Sequence, residues 1–126
     1  MNQGAVVLAR GREVPIFAGV EVRDDIGMTF VEVVLVVNGM RCSGSGRSSN
    51  SLCEAIDRAI REIVSHEAKL DQHDIQEHDD LVEVFVLYSL HGQHIAARVS
   101  GKKKADTIVV AMLGVFSQMV CDGVAY

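Results

Sequence analysis

The same order of local sequence patterns occurs twice in this chain of 126 residues. The stretch 31–39, Val-Glu-Val-Val-Leu-Val-Val-Asn-Gly, matches the stretch 84–92, Val-Phe-Val-Leu-Tyr-Ser-Leu-His-Gly, in pattern at a constant shift of 53 residues. Further strand-like runs and then a helix-like apolar run accompany each stretch. Two such units must bury their hydrophobic faces on each other or on a partner, so the seam between them is a natural position for a ligand or a second subunit.

The composition is that of one folded domain. Hydrophobic residues make up 48% of the chain and charged residues 23%, and the net charge of −5 argues against non-specific binding to nucleic acid. The longest uncharged stretch, 107–121, is 15 residues long, which is short of the roughly 20 that span a bilayer. Three widely spaced cysteines and the lack of a signal-peptide pattern predict a cytoplasmic protein.

The first unit is predicted over residues 15–68, after a lead-in at 1–14. Strands are expected over 15–23, 28–37 and 40–45, with Asn38-Gly39 as a hairpin turn. Ser51 and Glu54 have the spacing of a capping box at the start of a helix. That helix has one apolar face, with i,i+4 ion pairs such as Asp57–Arg61 on the other.

The second unit is predicted over residues 69–122. Strands are expected over 70–76, 81–90 and 93–100, followed by a loop at 101–104 and a helix that has Asp106 as its N-cap or in its first turn and ends near residue 120. The predicted fold class is therefore α+β: one domain over 15–126 with two pseudo-repeated βββα units, antiparallel strands and helices packed on one face.

The second helix has almost no polar face. Its apolar residues are Ile108, Val109, Val110, Ala111, Met112, Leu113, Val115, Phe116, Met119 and Val120. A helix that covers one side of a sheet in a monomer needs a polar side toward water. The sequence therefore predicts that a second copy of the chain covers this helix in a homodimer.

The glycine-bearing segment 44–51, Gly-Ser-Gly-Arg-Ser-Ser-Asn-Ser, precedes the first helix. Free main-chain N–H groups at the positive end of a helix suit a small carboxylate or phosphate. The segment matches the opening of the dinucleotide-binding fingerprint, but Ser49 stands where that fingerprint has its third glycine. The flanking strands are also predicted to be antiparallel, so a dinucleotide site is disfavoured.

Together these residues resemble a known family. Asn38-Gly39, Gly44-Ser45-Gly46, the helix at 54–60 and the segment Asp-Thr-Ile-Val-Val-Ala at 106–111 are similar to the regulatory (LeuA allosteric, dimerisation) domain of 2-isopropylmalate synthase and citramalate synthase. The resemblance covers roughly residues 15–120. At 50–54, where the family has Gly-Pro-Val-Asp-Ala, this chain has Asn-Ser-Leu-Cys-Glu.

The resemblance implies a non-catalytic module that binds leucine or isoleucine at a homodimer interface and regulates a catalytic synthase. The implied ligand-binding residues are Gly44, Gly46, Ser48, Ser49, Asn50, Ser51, Leu52, Gly101 and Asp106. No cofactor, metal, nucleic acid or membrane is implied. The family's catalytic barrel needs some 250 residues, so a chain of this length is not expected to carry the enzymatic step.

Other functions compete with this one. A purely structural dimerisation or adaptor domain without a ligand is the main alternative. A metal site built on His91 and His94 is disfavoured, because their spacing across a tight turn separates the two rings and no cysteine joins them at zinc-site spacing. Cys53 lies near a helix start, where a thiolate is favoured, but its helical phase predicts a buried and inert thiol.

Overall fold

The computed structural model describes residues 14–121 as an α+β fold with two three-stranded antiparallel sheets and two helices. The elements, in chain order, are β1 (Ile16–Asp25), β2 (Met28–Val37), β3 (Met40–Ser48), α1 (Leu52–Ile63), β4 (Lys69–His78), β5 (Leu81–Leu90), β6 (Gln93–Gly101) and α2 (Lys104–Cys121). The first sheet has the order β1-β2-β3 and the second β4-β5-β6. The predicted fold class is confirmed to this extent.

The two halves match closely in register. Each strand of the second sheet begins and ends 53 residues after its counterpart in the first. The bulge between Phe17 and Gly19 recurs between Leu70 and Gln72 at the same shift. Asn38 and His91, also 53 apart, both have positive φ at the first position of a two-residue hairpin turn. The turn chemistry therefore sets an equivalent register in both sheets.

Several predicted boundaries were wrong. The third strand runs to Ser48 instead of ending at residue 45, so most of the predicted loop at 44–51 is strand. Glycine has a low strand propensity, but here β3 pairs with β2 along its whole length, so tertiary packing overrides that preference. The loop predicted at 101–104 is shorter, because β6 runs to Gly101 and the last helix begins at Lys104. Asp106 lies in the first turn of that helix, which is one of the two positions predicted for it.

Each helix packs on its own sheet, and both helices contribute to one core. The first helix lies on β3 and β2, whereas α2 lies on β6 and β5 and also contacts β1 of the first sheet. Buried residues of both units form a single hydrophobic cluster. The side of α2 that was predicted to need a second chain is thus largely covered within this one. Of its side chains that the structure describes, Val110 is the large apolar one that stays exposed, at 41%.

That finding removes the premise from which the homodimer was predicted, because strands of both sheets contact α2. The homodimer itself stays a prediction.

Within residues 14–121, no helix is both long and apolar enough to cross a membrane. The lead-in at 1–14 lies outside the described residues except for Val14.

Candidate functional site

The start of α1, predicted to bind a ligand, is held by the chain's own hydroxyl groups. The Ser51 hydroxyl accepts a hydrogen bond from the main-chain N–H of Glu54 at 3.0 Å, as a capping box requires. The Ser48 hydroxyl accepts from the N–H groups of Asn50 and Ser51, at 3.0 and 3.3 Å. It also donates to Glu54 Oε1 at 3.4 Å. The return half of the capping box therefore passes through Ser48, and the N–H groups of Asn50, Ser51 and Glu54 already have acceptors.

The remaining two residues at the end of this segment differ in exposure. Ser49 lies exposed at the end of β3, and the Leu52 side chain packs against the hydrophobic core. Ser49 and Leu52 therefore lie on either side of the helix start. The Ser48 hydroxyl does not bind the N–H group of either residue.

Gly44 and Gly46 lie under α1 on the helix-facing side of β3. A Cβ atom on Gly46 would collide with the main-chain carbonyl of Ala55, and one on Gly44 with that of Ala59. The absence of side chains lets the helix backbone approach the strand closely. Close helix packing therefore accounts for both glycines.

Gly101 and Asp106 come together at the start of α2. A groove of about 370 Å³ runs beside them. Its residues are Phe17, Val99, Ser100, Gly101, Lys102, Lys103, Asp106, Thr107 and Val110. Its lining combines apolar side chains with one carboxylate and two lysines. The groove includes none of the predicted residues from 44–52, so the chain does not bring its two predicted ligand segments together here.

One hydrogen bond and one ion pair lie beside this groove. The Thr107 hydroxyl donates to the carbonyl of Lys103 at 2.6 Å, and a Cβ on Gly101 would meet that same hydroxyl. Lys104 Nζ lies 3.5 Å from Glu77 Oε2. Lys104 is thus engaged with β4, whereas Lys102 and Lys103 line the groove with Asp106.

A second groove, of about 830 Å³, lies on the first sheet beside α1. Its charged residues are Glu21, Arg23, Glu32, Arg47, Arg58 and Glu62. The Arg23 guanidinium stacks on the Phe30 ring, with its central carbon 5.0 Å from the ring centroid. Arg58 donates to the Arg47 carbonyl at 2.6 Å, and Glu62 accepts from the Ser45 N–H at 2.9 Å. These two side chains therefore bind main-chain groups at the outer edge of β3.

A buried polar cluster joins the two units, and the sequence predicted only its Asp57–Arg61 pair. The Tyr88 hydroxyl donates to Asp57 Oδ1 at 2.7 Å, and Arg61 Nε donates to Asp57 Oδ2 at 2.8 Å. Arg61 also donates to the Ala68 carbonyl at 2.6 Å. Burial and the neighbouring Asp57 carboxylate raise the pKa of Tyr88 well above its usual value.

The predicted Asp57–Arg61 pair exists, but its placement on the solvent face was wrong. Asp57 is only 8% exposed, because Tyr88 reaches it from β5. A buried tyrosine needs a hydrogen-bond partner for its hydroxyl. This requirement was the signal in the sequence that could have indicated a buried polar residue beside Tyr88. The His66 ring packs beside it, with centroids 4.8 Å from Phe116 and 6.2 Å from Tyr88.

The residues considered for metal binding and catalysis lie apart. His91 faces Glu67 and His94 faces Asp71, each at 3.9 Å and each with an exposed ring. No group of three or more histidine, cysteine, aspartate and glutamate side chains suited to a metal ion occurs within residues 14–121. Cys53 is fully buried, and that burial raises the pKa of its thiol to about 12. The predicted burial of this thiol is confirmed.

Comparison of the chain with protein-family models gave no match, and neither did comparison with curated proteins.

Proposed function

We propose that this chain is a non-catalytic regulatory module that binds a small branched-chain amino acid, leucine or isoleucine, and acts as a homodimer. The observation that carries the proposal is the groove at the start of α2, whose lining combines apolar side chains with groups of both charges. Its volume of about 370 Å³ falls at the lower end of the 300–1,000 Å³ range of small-molecule pockets. The resemblance to the regulatory domain of 2-isopropylmalate synthase supports the same ligand class.

The groove offers each part of such an amino acid a matching group. Asp106 is a partner for the ammonium group, and Lys102 and Lys103 are partners for the carboxylate. Phe17 and the exposed Val110 offer an apolar surface for a branched side chain.

Isothermal titration calorimetry with leucine, isoleucine and valine tests this proposal. The expected result is saturable heat with at least one of them, together with a raised melting temperature. Asp106→Asn should weaken binding at least tenfold, because it removes the charge that faces the ammonium group. Glu67→Gln is the matched control, since Glu67 is exposed and does not line the groove. Absence of heat and of any thermal shift with all three amino acids would refute the proposal.

A structural dimerisation or adaptor domain without a ligand is the second candidate. It is favoured by the packing of Gly44 and Gly46 against α1 and by the internally bonded N–H groups at 50, 51 and 54. In that case the protein would be a dimer in solution, and none of the three amino acids would change its melting temperature.

A further inference from the structure

The first sheet has two edges, and the chain treats them differently. Along the outer edge of β3, Glu62 accepts from the N–H of Ser45 and Arg58 donates to the carbonyl of Arg47. Within residues 14–121, β1 pairs with β2 along one side and no strand lies along its other side. An unpaired strand edge presents a row of N–H and C=O groups that is a template for another strand.

Hairpin geometry identifies the main-chain groups of β1 that point outward. Asp25 and Met28 oppose each other across the two-residue turn at 26–27, and the residues that close such a turn are bonded to one another. Main-chain direction alternates along a strand. Residues 25, 23 and 21 therefore direct their N–H and C=O groups toward β2, and residues 24, 22 and 20 direct theirs away from it.

The hairpin of β2 and β3 supports this assignment of inward and outward main-chain groups. Val37 and Met40 close the turn at 38–39, so residues 45 and 47 of β3 are expected to direct their main-chain groups outward. The bonds from Ser45 to Glu62 and from Arg58 to Arg47 are formed by those outward groups.

The side chains around Val22 are complementary to themselves under two-fold symmetry. In an antiparallel pair of β1 strands centred on Val22, Glu21 of each copy lies directly opposite Arg23 of the other. Val22 faces its own copy, and its side chain is 42% exposed and available for that contact. Opposite charges placed across neighbouring strands stabilise a sheet, and a two-fold axis forms both pairs at once.

We propose that β1 pairs in antiparallel orientation with β1 of a second copy of this chain, centred on Val22, so that the two first sheets join into one six-stranded sheet. The charge pattern of β1 favours β1 of a second copy as the partner strand. The corresponding edge strand β4 carries Asp74 and Gln76 at the equivalent positions, and these would not form a charge pair. The inference deepens the homodimer of the proposed function by naming its interface, and it is independent of the amino-acid ligand.

The full-length protein tests this interface by sedimentation equilibrium over a range of concentrations. Val22→Pro removes the central outward N–H, while a proline with a solvent-facing nitrogen is tolerated at a sheet edge. This variant should be monomeric with an unchanged circular dichroism spectrum. Glu21→Arg alone and Arg23→Glu alone each place like charges opposite, and each should raise the dimer dissociation constant about tenfold or more. The double variant E21R/R23E restores both pairs and should recover most of the affinity. Asp74→Arg is the matched control and should dimerise like the unmodified protein.

Two outcomes would overturn the proposal. A monomeric unmodified protein, including one whose residues 1–13 cover β1 within the same chain, rules out both this interface and the homodimer. A dimer that survives Val22→Pro and both single charge reversals has its interface elsewhere, and the homodimer of the proposed function then stands without this interface. If Val22→Pro fails to fold, the two single reversals and their double variant still decide. Calorimetry with leucine on the same samples measures amino-acid binding independently of dimerisation.

Discussion

Because His66 is buried in its neutral form, this protein should be less stable in mild acid than at neutral pH. The ring lies between Tyr88 and Phe116, and neither ring nitrogen has a hydrogen-bond partner within the described structure. Burial, followed by the nearby Arg61 guanidinium, lowers the pKa of His66 from 6.5 to about 4, against smaller opposing effects of Asp57 and of the Ala68 main chain.

Proton linkage gives the sign and size of this change in the free energy of unfolding. Between pH 6.5 and pH 4 the unfolded chain binds a proton at this histidine that the folded chain does not bind, so stability falls as pH falls through that window. Above pH 6.5 the group has no effect. A shift of this size corresponds to about 3 kcal/mol once the pH is below 4, on the scale of roughly 1.4 kcal/mol per pKa unit.

Urea denaturation at pH 7.5 and pH 4.5 measures this contribution in the unmodified protein and in His66→Phe. The phenylalanine keeps a ring in the aromatic contact and cannot be protonated, so it should lose about 2 to 3 kcal/mol less than the unmodified protein between the two pH values. His78→Gln removes an exposed histidine and serves as the control, with the pH dependence of the unmodified protein. Equal losses in the unmodified protein and in His66→Phe would refute the reasoning. An NMR titration midpoint for His66 near 6.5 would do the same.

Three further substitutions test other features of the fold by chemical denaturation. Gly46→Ala should cost about 1–3 kcal/mol, because its Cβ would collide with the backbone of α1, whereas Gly19→Ala meets nothing within 4 Å and should cost less. Tyr88→Phe should cost about 1–3 kcal/mol, since it leaves Asp57 buried without the hydroxyl donor; an unchanged unfolding midpoint would contradict the importance of that bond. Ile26→Asn should stabilise the protein by about 1 kcal/mol, because a β-branched residue with φ 31 is 99% exposed there, and asparagine tolerates this backbone better. Loss of stability in this last variant would show that the isoleucine side chain makes a contact of its own.

Local sequence signals predicted the hairpins and the helices. Alternation of apolar residues with two-residue turns such as Asn38-Gly39 specifies a strand pair within a few residues of chain, so β2, β5 and their partners were placed with small boundary errors. The cap at Ser51 is equally local, because its bond to Glu54 spans three residues. For the same reason, the shift of 53 residues between the units can be read directly from the order of amino acids.

Contacts between distant segments could not be derived in this way. The pattern of α2 shows that it is apolar nearly all round. It does not show that the helix packs on β1 as well as on β5 and β6, because β1 lies about ninety residues earlier in the chain. Asp57 has the spacing of a solvent-facing residue and is buried because Tyr88, 31 residues away, binds it. Gly44 and Gly46 have the composition of a flexible loop, yet pairing with β2 places them in a strand, where α1 packs closely on them. Periodicity identifies which face of an element is apolar, whereas the segment that packs on that face is selected by the arrangement of the whole chain.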